Sequence, residues 1–207
     1  MNSFKDFYRS EELQTPFLAS ASVTSLPPRT VANFLTHCFF KYAEANYFAV
    51  EKEWFDVQLS IAYTDASTFG ITSAGTICII FAVLAIGTQY AYLESPTGQR
   101  QGNATTNSIE PASFTEDAIG VMFYHQASRL LSEVITLSSL ESIQACLLLG
   151  IYALPIDASG LAYIYLNIGL RLGVQNGMHR KGNEKPVDHV EDGIKDRVWW
   201  TIYCLER

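Results

Sequence analysis

Charge is scarce in this sequence, and positive charge scarcest. Charged residues are 17% of the chain against 48% hydrophobic, well under the roughly 25% charge of an average soluble domain, which excludes a disordered or low-complexity segment. The chain buries a large core. Its 14 Lys and Arg face 21 Asp and Glu, a formal net charge of -7. Affinity for nucleic acid comes mainly from Lys and Arg neutralising phosphates, so this chain by itself is not a DNA binder. At 207 residues it is read as one domain, with 1–25 as an N-terminal arm and 26–207 as a helical body.

Paired cysteines are also missing. Cys38, Cys78, Cys146 and Cys204 lie far apart inside apolar runs, with no C-x-x-C and no His at metal spacing, which excludes a disulfide scaffold and a zinc site within this chain. They are expected as buried thiols. The first residues mix charges and aromatics where a signal peptide would carry a basic stretch and an apolar core. The sequence contains no G-x-S-x-G, H-E-x-x-H, G-x-x-x-x-G-K or G-x-G-x-x-G. No catalytic residue, metal ligand or cofactor is therefore assigned to it, and His37, His125, His179 and His189, one per segment, are read as capping or hydrogen-bonding groups.

Alternating strand patterns flanked by hairpin turns are absent too, and what remains is helical periodicity, so the fold class is all-α, an array of antiparallel helices. Pro27 and Pro28 fit the first turn of a helix running to about residue 44, with Val31, Phe34, Leu35, Cys38 and Phe39 as its stripe. A second helix covers about 51–62, with Trp54, Val57 and Ile61 on one face, and a third, apolar, covers 72–93. Residues 95–111 carry Pro, Gly, Asn and Thr without periodicity and are expected as a flexible loop.

Another helix is expected over about 115–131, and Ser138-x-x-Glu141 reads as a capping box opening the next, whose stripe is Leu140, Ile143, Leu147 and Ile151. The segment 160–176 is apolar on two faces, Leu161, Ile164, Tyr165, Ile168 and Leu172 on one, Ala162, Leu166, Gly169, Leu170 and Gly173 on the other, and is expected at the centre. Gly169 and Gly173 each cost about 1 kcal/mol of helix propensity relative to Ala, tolerable where a neighbouring helix approaches closely. Gly177 suits a left-handed C-cap. The last helix opens at Asp188-x-x-Glu191 and carries Val190, Ile194, Val198, Ile202 and Leu205, with no stop signal, so the pattern breaks off inside a helix as a fragment would.

From 66 to 93 there is no charged side chain, long enough to span a bilayer. Thr76, Thr88 and Gln89 dilute the run, and its flanks are Asp65 and Glu94 rather than orienting cations. A buried core helix is the preferred reading and a membrane-associated helix its alternative.

Asn167, Arg171 and Gln175 are spaced four apart on one helix face and point on toward His179 and Arg180. Such a stripe is either a narrow solvated edge or a polar network facing an effector or partner helix. Gln144, set between Ile143 and Leu147, needs a hydrogen-bond partner if buried. Trp199, Trp200 and Tyr203 are expected to pack as core, with an exposed docking surface as the alternative.

Two C-terminal stretches form a pattern: Gly169-Leu-Arg-Leu-Gly-Val-Gln-Asn-Gly-Met-His-Arg180, then Asp196-Arg-Val-Trp-Trp-Thr-Ile-Tyr-Cys-Leu-Glu-Arg207. They resemble the regulatory, middle homology domain of fungal-specific transcription factors, of the xylanolytic activator type. There a small-residue helix ends in Gly-aliphatic-His-Arg, and a helix with basic residues before Trp-Trp follows. Leu26-Pro-Pro-Arg29 with Phe39-Phe40, and Ser139-Leu-Glu-Ser-Ile-Gln-Ala-Cys-Leu-Leu-Leu149 with Tyr152, look like the family's earlier helices. Lys195-Asp196 departs from the usual basic run.

The resemblance implies a helical regulatory region of a nuclear transcription factor, not an enzyme, controlling transcription by RNA polymerase II. Such a region follows a binuclear zinc-cluster DNA-binding module, so zinc and DNA contact belong to a module absent from this chain. The partners implied are a small-molecule effector, the transcription machinery or its co-regulators, and a second copy in a homodimer, with no membrane. Its rivals are a helical interaction scaffold, which needs an internal repeat that the sequence lacks, the membrane-associated helix, and an all-α enzyme using His179 and Arg180 beside a carboxylate.

Overall fold

The computed structural model describes residues 18–94, 111–156, 159–180 and 189–207. Among them every regular element is a helix, as expected for an all-α chain. In order, α1 is Leu18–Val23, α2 Arg29–Cys38, α3 Lys52–Thr64, α4 Ala74–Tyr90, α5 Pro111–Arg129, α6 Leu131–Leu137, α7 Leu140–Ala153, α8 Ser159–Gln175 and α9 His189–Glu206. The loop expected at 95–111 lies outside the described residues save for Pro111, and so does the cap expected at Asp188.

Helix α4 is the axis of the array. Every residue of 74–88 except Thr76 is buried, and a helix apolar on all sides must be enclosed by others. Helices α2, α5 and α7 enclose it. The middle of the uncharged stretch, 74–88, is thus a core helix enclosed by protein. Helix α7, buried along 142–153, lies between α4 and α8, and α9 packs on α8 and touches α7. Helix α1 leans on α4, so the N-terminal arm is docked in part.

Helix α8 is not the centre. Tyr165 and Leu172 of its first expected face are buried, as are Ala162, Leu166, Gly169 and Gly173 of the second, but Leu161 and Ile164 face solvent, Ile164 with 52% exposure. Helices α4 and α7 carry fewer polar side chains and take the interior. Arg171 and Gln175 hold one side of α8 in water.

Other expectations shift by a residue or a turn. In α2 the buried line is Ala32, Leu35, Thr36 and Cys38, while Val31 and Phe34 are exposed. In α3 it is Phe55, Leu59 and Ala62, and Val57 is 56% exposed. The rotation of α3 is set at its entry, where Ala49 and Val50 are fully buried and Gln144 Nε2 donates to the Ala49 carbonyl at 2.9 Å.

The helix expected over 115–131 ends at Arg129, and a short α6 follows after Leu130, which is buried in the core. Ser138 ends α6 in the left-handed region, with φ 49°, so it cannot cap the next helix. Ser139 does so instead, exchanging hydrogen bonds reciprocally with Ser142. The serine-based cap expected at Ser138 and Glu141 stands one residue later, and Glu141 sits in the first turn, where a carboxylate suits the helix dipole.

Candidate functional site

The two C-terminal sequence stretches meet in space. Helix α8 ends as a Schellman motif: the Gly177 N–H donates to Val174 O at 3.1 Å and the Met178 N–H to Gly173 O at 3.0 Å. Gly177 has φ 73°, the left-handed cap expected of it. Asn176 Nδ2 donates to the Ser138 carbonyl at 2.8 Å and ties this end to the start of α7.

The missing side chains on α8 are what let α9 approach. A Cβ on Gly169 would collide with Cδ1 of Ile202 and stand 3.1 Å from Cβ of Cys146, and one on Gly173 would stand 3.2 Å from the Trp199 ring. The His179 ring lies 6.1 Å from Trp199, and Arg180 Nε–H donates to His179 Nε2 at 3.3 Å. Trp199 stacks on Tyr203, and Arg197 reaches the other way, its guanidinium 3.5 Å from the Phe48 ring centroid. The signature residues thus bind α9 to α8 and to the turn before α3.

Of the residues expected to meet an effector or partner, Arg171, Gln175, His179 and Arg180 are exposed. Asn167 is half-buried and donates to the Tyr163 carbonyl of its own helix at 3.1 Å. His179 and Arg180 come together beside Trp199. The stripe Asn167, Arg171 and Gln175 lines neither cleft described below. Among the described residues neither His179 nor Arg180 forms an ion pair with a carboxylate.

Gln144, 4% exposed, has the partner its burial demands, Ala49. Trp199 is half-buried, but Trp200 is 59% exposed rather than core: α9 presents the first Trp to α8, so the second, 100° round the helix, faces water. Cys204 is exposed for the same reason, correcting its reading as a buried thiol. Cys38, Cys78 and Cys146 are buried, and Cys78 and Cys146 lie near enough to act on each other electrostatically. Burial pushes the Cys146 thiol up to about 12 and Cys78 higher still, and among the described residues no three His, Cys, Asp or Glu side chains gather as the ligands of a metal would.

Sequence reasoning missed a cleft of about 410 Å³ between α2 and α3. Its first wall is α2 and a π-helical turn, Phe39–Ala43, that prolongs it, closed by the Glu44 N–H donating to Phe39 O at 3.1 Å. Along that wall stand Asn33, Thr36, His37, Phe40, Lys41 and Glu44, and from α3 come Lys52 and Asp56. The only signal in the sequence is the spacing of Thr36, Phe40 and Glu44, four apart, hidden in what reads as an ordinary amphipathic helix.

Thr36 is 5% exposed, and its hydroxyl has no hydrogen-bond partner among the described residues. Glu44 is half-buried, and its carboxyl is pushed up, chiefly by burial and also by Glu53, against the pull of Arg197 and Lys52. At the rim, Lys41 Nζ bonds Glu94 Oε1 at 2.5 Å and Tyr42 Oη donates to the same oxygen at 2.9 Å. The Lys41 and Tyr42 bonds hold the Glu94 carboxyl below its usual range. His37 Nε2 lies 3.5 Å from it. A smaller cleft of about 240 Å³, between α3, α7 and α9, is lined by Glu51, Trp54, Leu140, Glu141, Gln144 and Ile194.

The profile of the fungal specific transcription factor domain matches residues 36–207. The chain belongs to that family. The resemblance read from the C-terminal signatures is therefore correct, and it extends from the last turn of α2 to α9. Among curated proteins the chain is similar to an uncharacterized transcriptional regulatory protein of Schizosaccharomyces pombe, 25% identical over 90% of the chain and 22% of the relative's length. It is also similar to the thiamine repressible genes regulatory protein of the same yeast, 23% identical over 88% of the chain and 22% of the relative. Activator of stress genes protein 1 of Candida albicans is 22% identical over 69% of the chain and 14% of that protein. The chain spans under a quarter of the length of these relatives. No solved structure matches it at a significant level. In this fungal transcription factor domain, then, the family signature is a packing device, the α8–α9 junction, while the open polar cleft lies between α2 and α3.

Proposed function

We propose that this fungal transcription factor domain is the regulatory body of a nuclear zinc-cluster transcription factor. In that reading it is not an enzyme. DNA contact and zinc belong to a module outside the chain, and the helical body answers an effector or a partner of the transcription machinery. The observation that carries the reading is the family match over 36–207, and the net charge of -7 agrees with DNA contact being made elsewhere.

Regulation of this kind needs two packings within a few kcal/mol of each other, one favoured by the ligand through its differential affinity. The exposed edge formed by Arg171, Gln175, His179 and Arg180 is the face we assign to a partner, with Asn167 at its inner end. The α8–α9 junction beneath it, built on two glycines, is the joint whose packing such a partner would bias.

A reporter assay tests this. The chain is fused to a heterologous DNA-binding module in yeast, and reporter output is compared with that of the module alone. The expected result is a change in output that Arg171→Ala with Arg180→Ala reduces. Output equal to that of the module alone, from a fusion shown to be nuclear and intact, refutes the reading.

A further inference from the structure

The cleft against α2 is graded from bottom to rim. Thr36, Phe40 and Glu44 are its least exposed members and form the floor, while Asn33, His37, Lys41, Lys52 and Asp56 are exposed and form the rim. A volume of about 410 Å³ is within the range of small-molecule sites. One wall contains a π-helical turn, a distortion found disproportionately at functional sites.

On the floor one group is unsatisfied and one, half-buried, lacks an ion-pair partner among the described residues. The buried Thr36 hydroxyl lacks a partner, although buried hydroxyls ordinarily have one. The Glu44 carboxylate forms no ion pair among the described residues, the nearest cations acting on it being Arg197 and Lys52 at longer range. On the rim Lys52 is held loosely, 3.9 Å from Asp56 with both exposed, whereas Lys41 is held by Glu94 at 2.5 Å. The charged lining is balanced, Lys41 and Lys52 against Glu44 and Asp56. A purely cationic ligand would leave the lysines facing it, and a purely anionic one would meet the carboxylates.

We infer that this cleft binds a small zwitterion carrying an ammonium group and a carboxylate, the ammonium on Glu44 with Thr36 as neighbour and the carboxylate at Lys52 and Lys41. This inference names the effector class for the regulatory role proposed above and rests on that reading for its purpose, though not for its chemistry. Lys41 is bonded to Glu94, four residues beyond the end of α4, so a bound carboxylate competes for the same ammonium and loosens that contact.

The test is direct binding to the 207-residue chain. Each proteinogenic amino acid is added singly at about 10 mM while the melting temperature is read, since a ligand that binds only the folded state raises it. Hits are then titrated by calorimetry, with n-butylamine and butyrate as probes that each carry half of the charge pattern. At least one amino acid is expected to raise the melting temperature in a concentration-dependent way, and neither half-probe to do so. Glu44→Gln and the surface change Lys52→Gln are each expected to weaken binding by about tenfold or more, the usual loss for a charge-assisted hydrogen bond. Thr36→Val is expected to weaken binding while raising the melting temperature of the unliganded chain, because it removes an unsatisfied hydroxyl. The inference is overturned if no amino acid shifts the melting temperature, if n-butylamine or butyrate binds as tightly as the hit, or if affinity survives both Glu44→Gln and Lys52→Gln. Such a failure leaves the reporter result untouched, and a silent reporter leaves the binding result untouched.

Discussion

Gly87→Ala is the sharpest probe of how α2 and α4 meet. Gly87 is buried in α4, and a Cβ there would run into the Leu35 carbonyl oxygen, 2.9 Å from its carbon and 3.1 Å from its Cα. These are backbone atoms of α2, so no rotamer change relieves the overlap. The two helices must separate, or the backbone must bend. Replacing glycine by alanine in a helix gains about 1 kcal/mol of propensity, whereas overpacking a core costs about 1–3 kcal/mol and sometimes more. With backbone on one side of the clash the upper part of that range applies, and the net loss is about 2 kcal/mol, or about 4–8 °C for a chain of this size.

Gly193→Ala in α9 is the control, because a Cβ there meets nothing within 4 Å. It is expected to raise the melting temperature by about 1–4 °C through propensity alone. Circular dichroism at 222 nm, supported by urea titration to check that the slope is unchanged, measures both variants. If Gly87→Ala melts at or above the wild-type temperature, the close approach of α2 to α4 is wrong, and the cleft walled by α2 is misplaced with it.

Three further outcomes rest on the same packing. Gln144→Leu strands the buried Ala49 carbonyl and is expected to cost about 1–3 kcal/mol in urea unfolding; a change under about 0.5 kcal/mol would show that water reaches that carbonyl. The Glu94 carboxyl is held below its usual range by its bonds to Lys41 and Tyr42, so its contribution is present above the unfolded value of about 4.3 and disappears as pH falls through the lower folded value. Glu94→Gln should therefore lower the melting temperature at pH 7 but not at a pH below both values, and an equal effect at the two would refute the ion-pair account. Ellman's reagent at pH 8 should find one fast thiol, Cys204, with Cys38, Cys78 and Cys146 reacting only on unfolding; three fast thiols would mean that the core is open.

The signals that could be read from the sequence were local ones. Gly177 and the residues before it specify the end of α8, because only a glycine enters the left-handed region there without strain. The all-apolar run of α4 announced a buried helix, and Gln144 announced a hydrogen bond. What misled was rotation and rank. Trp54, Val57 and Ile61 define a stripe as good as Phe55, Leu59 and Ala62 in α3, and only the anchoring of Ala49 by Gln144, 95 positions away, selects between them. Trp199 and Trp200 are alike as residues, and the glycine groove of α8 decides which of them is covered. Ser138 and Ser139 are both good caps until the end of α6 claims the first.

The cleft was hidden for a related reason. Its floor is one helix face, which periodicity can find, but its far wall, Lys52 and Asp56, comes from another helix, and the vacancy between them is a property of how two helices diverge. By itself, the order of residues determined that this chain is helical and which family it joins, because helix periodicity, caps and signatures are short-range patterns. Which helix lies at the centre, which tryptophan meets water and where an open polar cavity remains were decided only by the assembled fold, since each depends on competition between distant surfaces for the same limited interior.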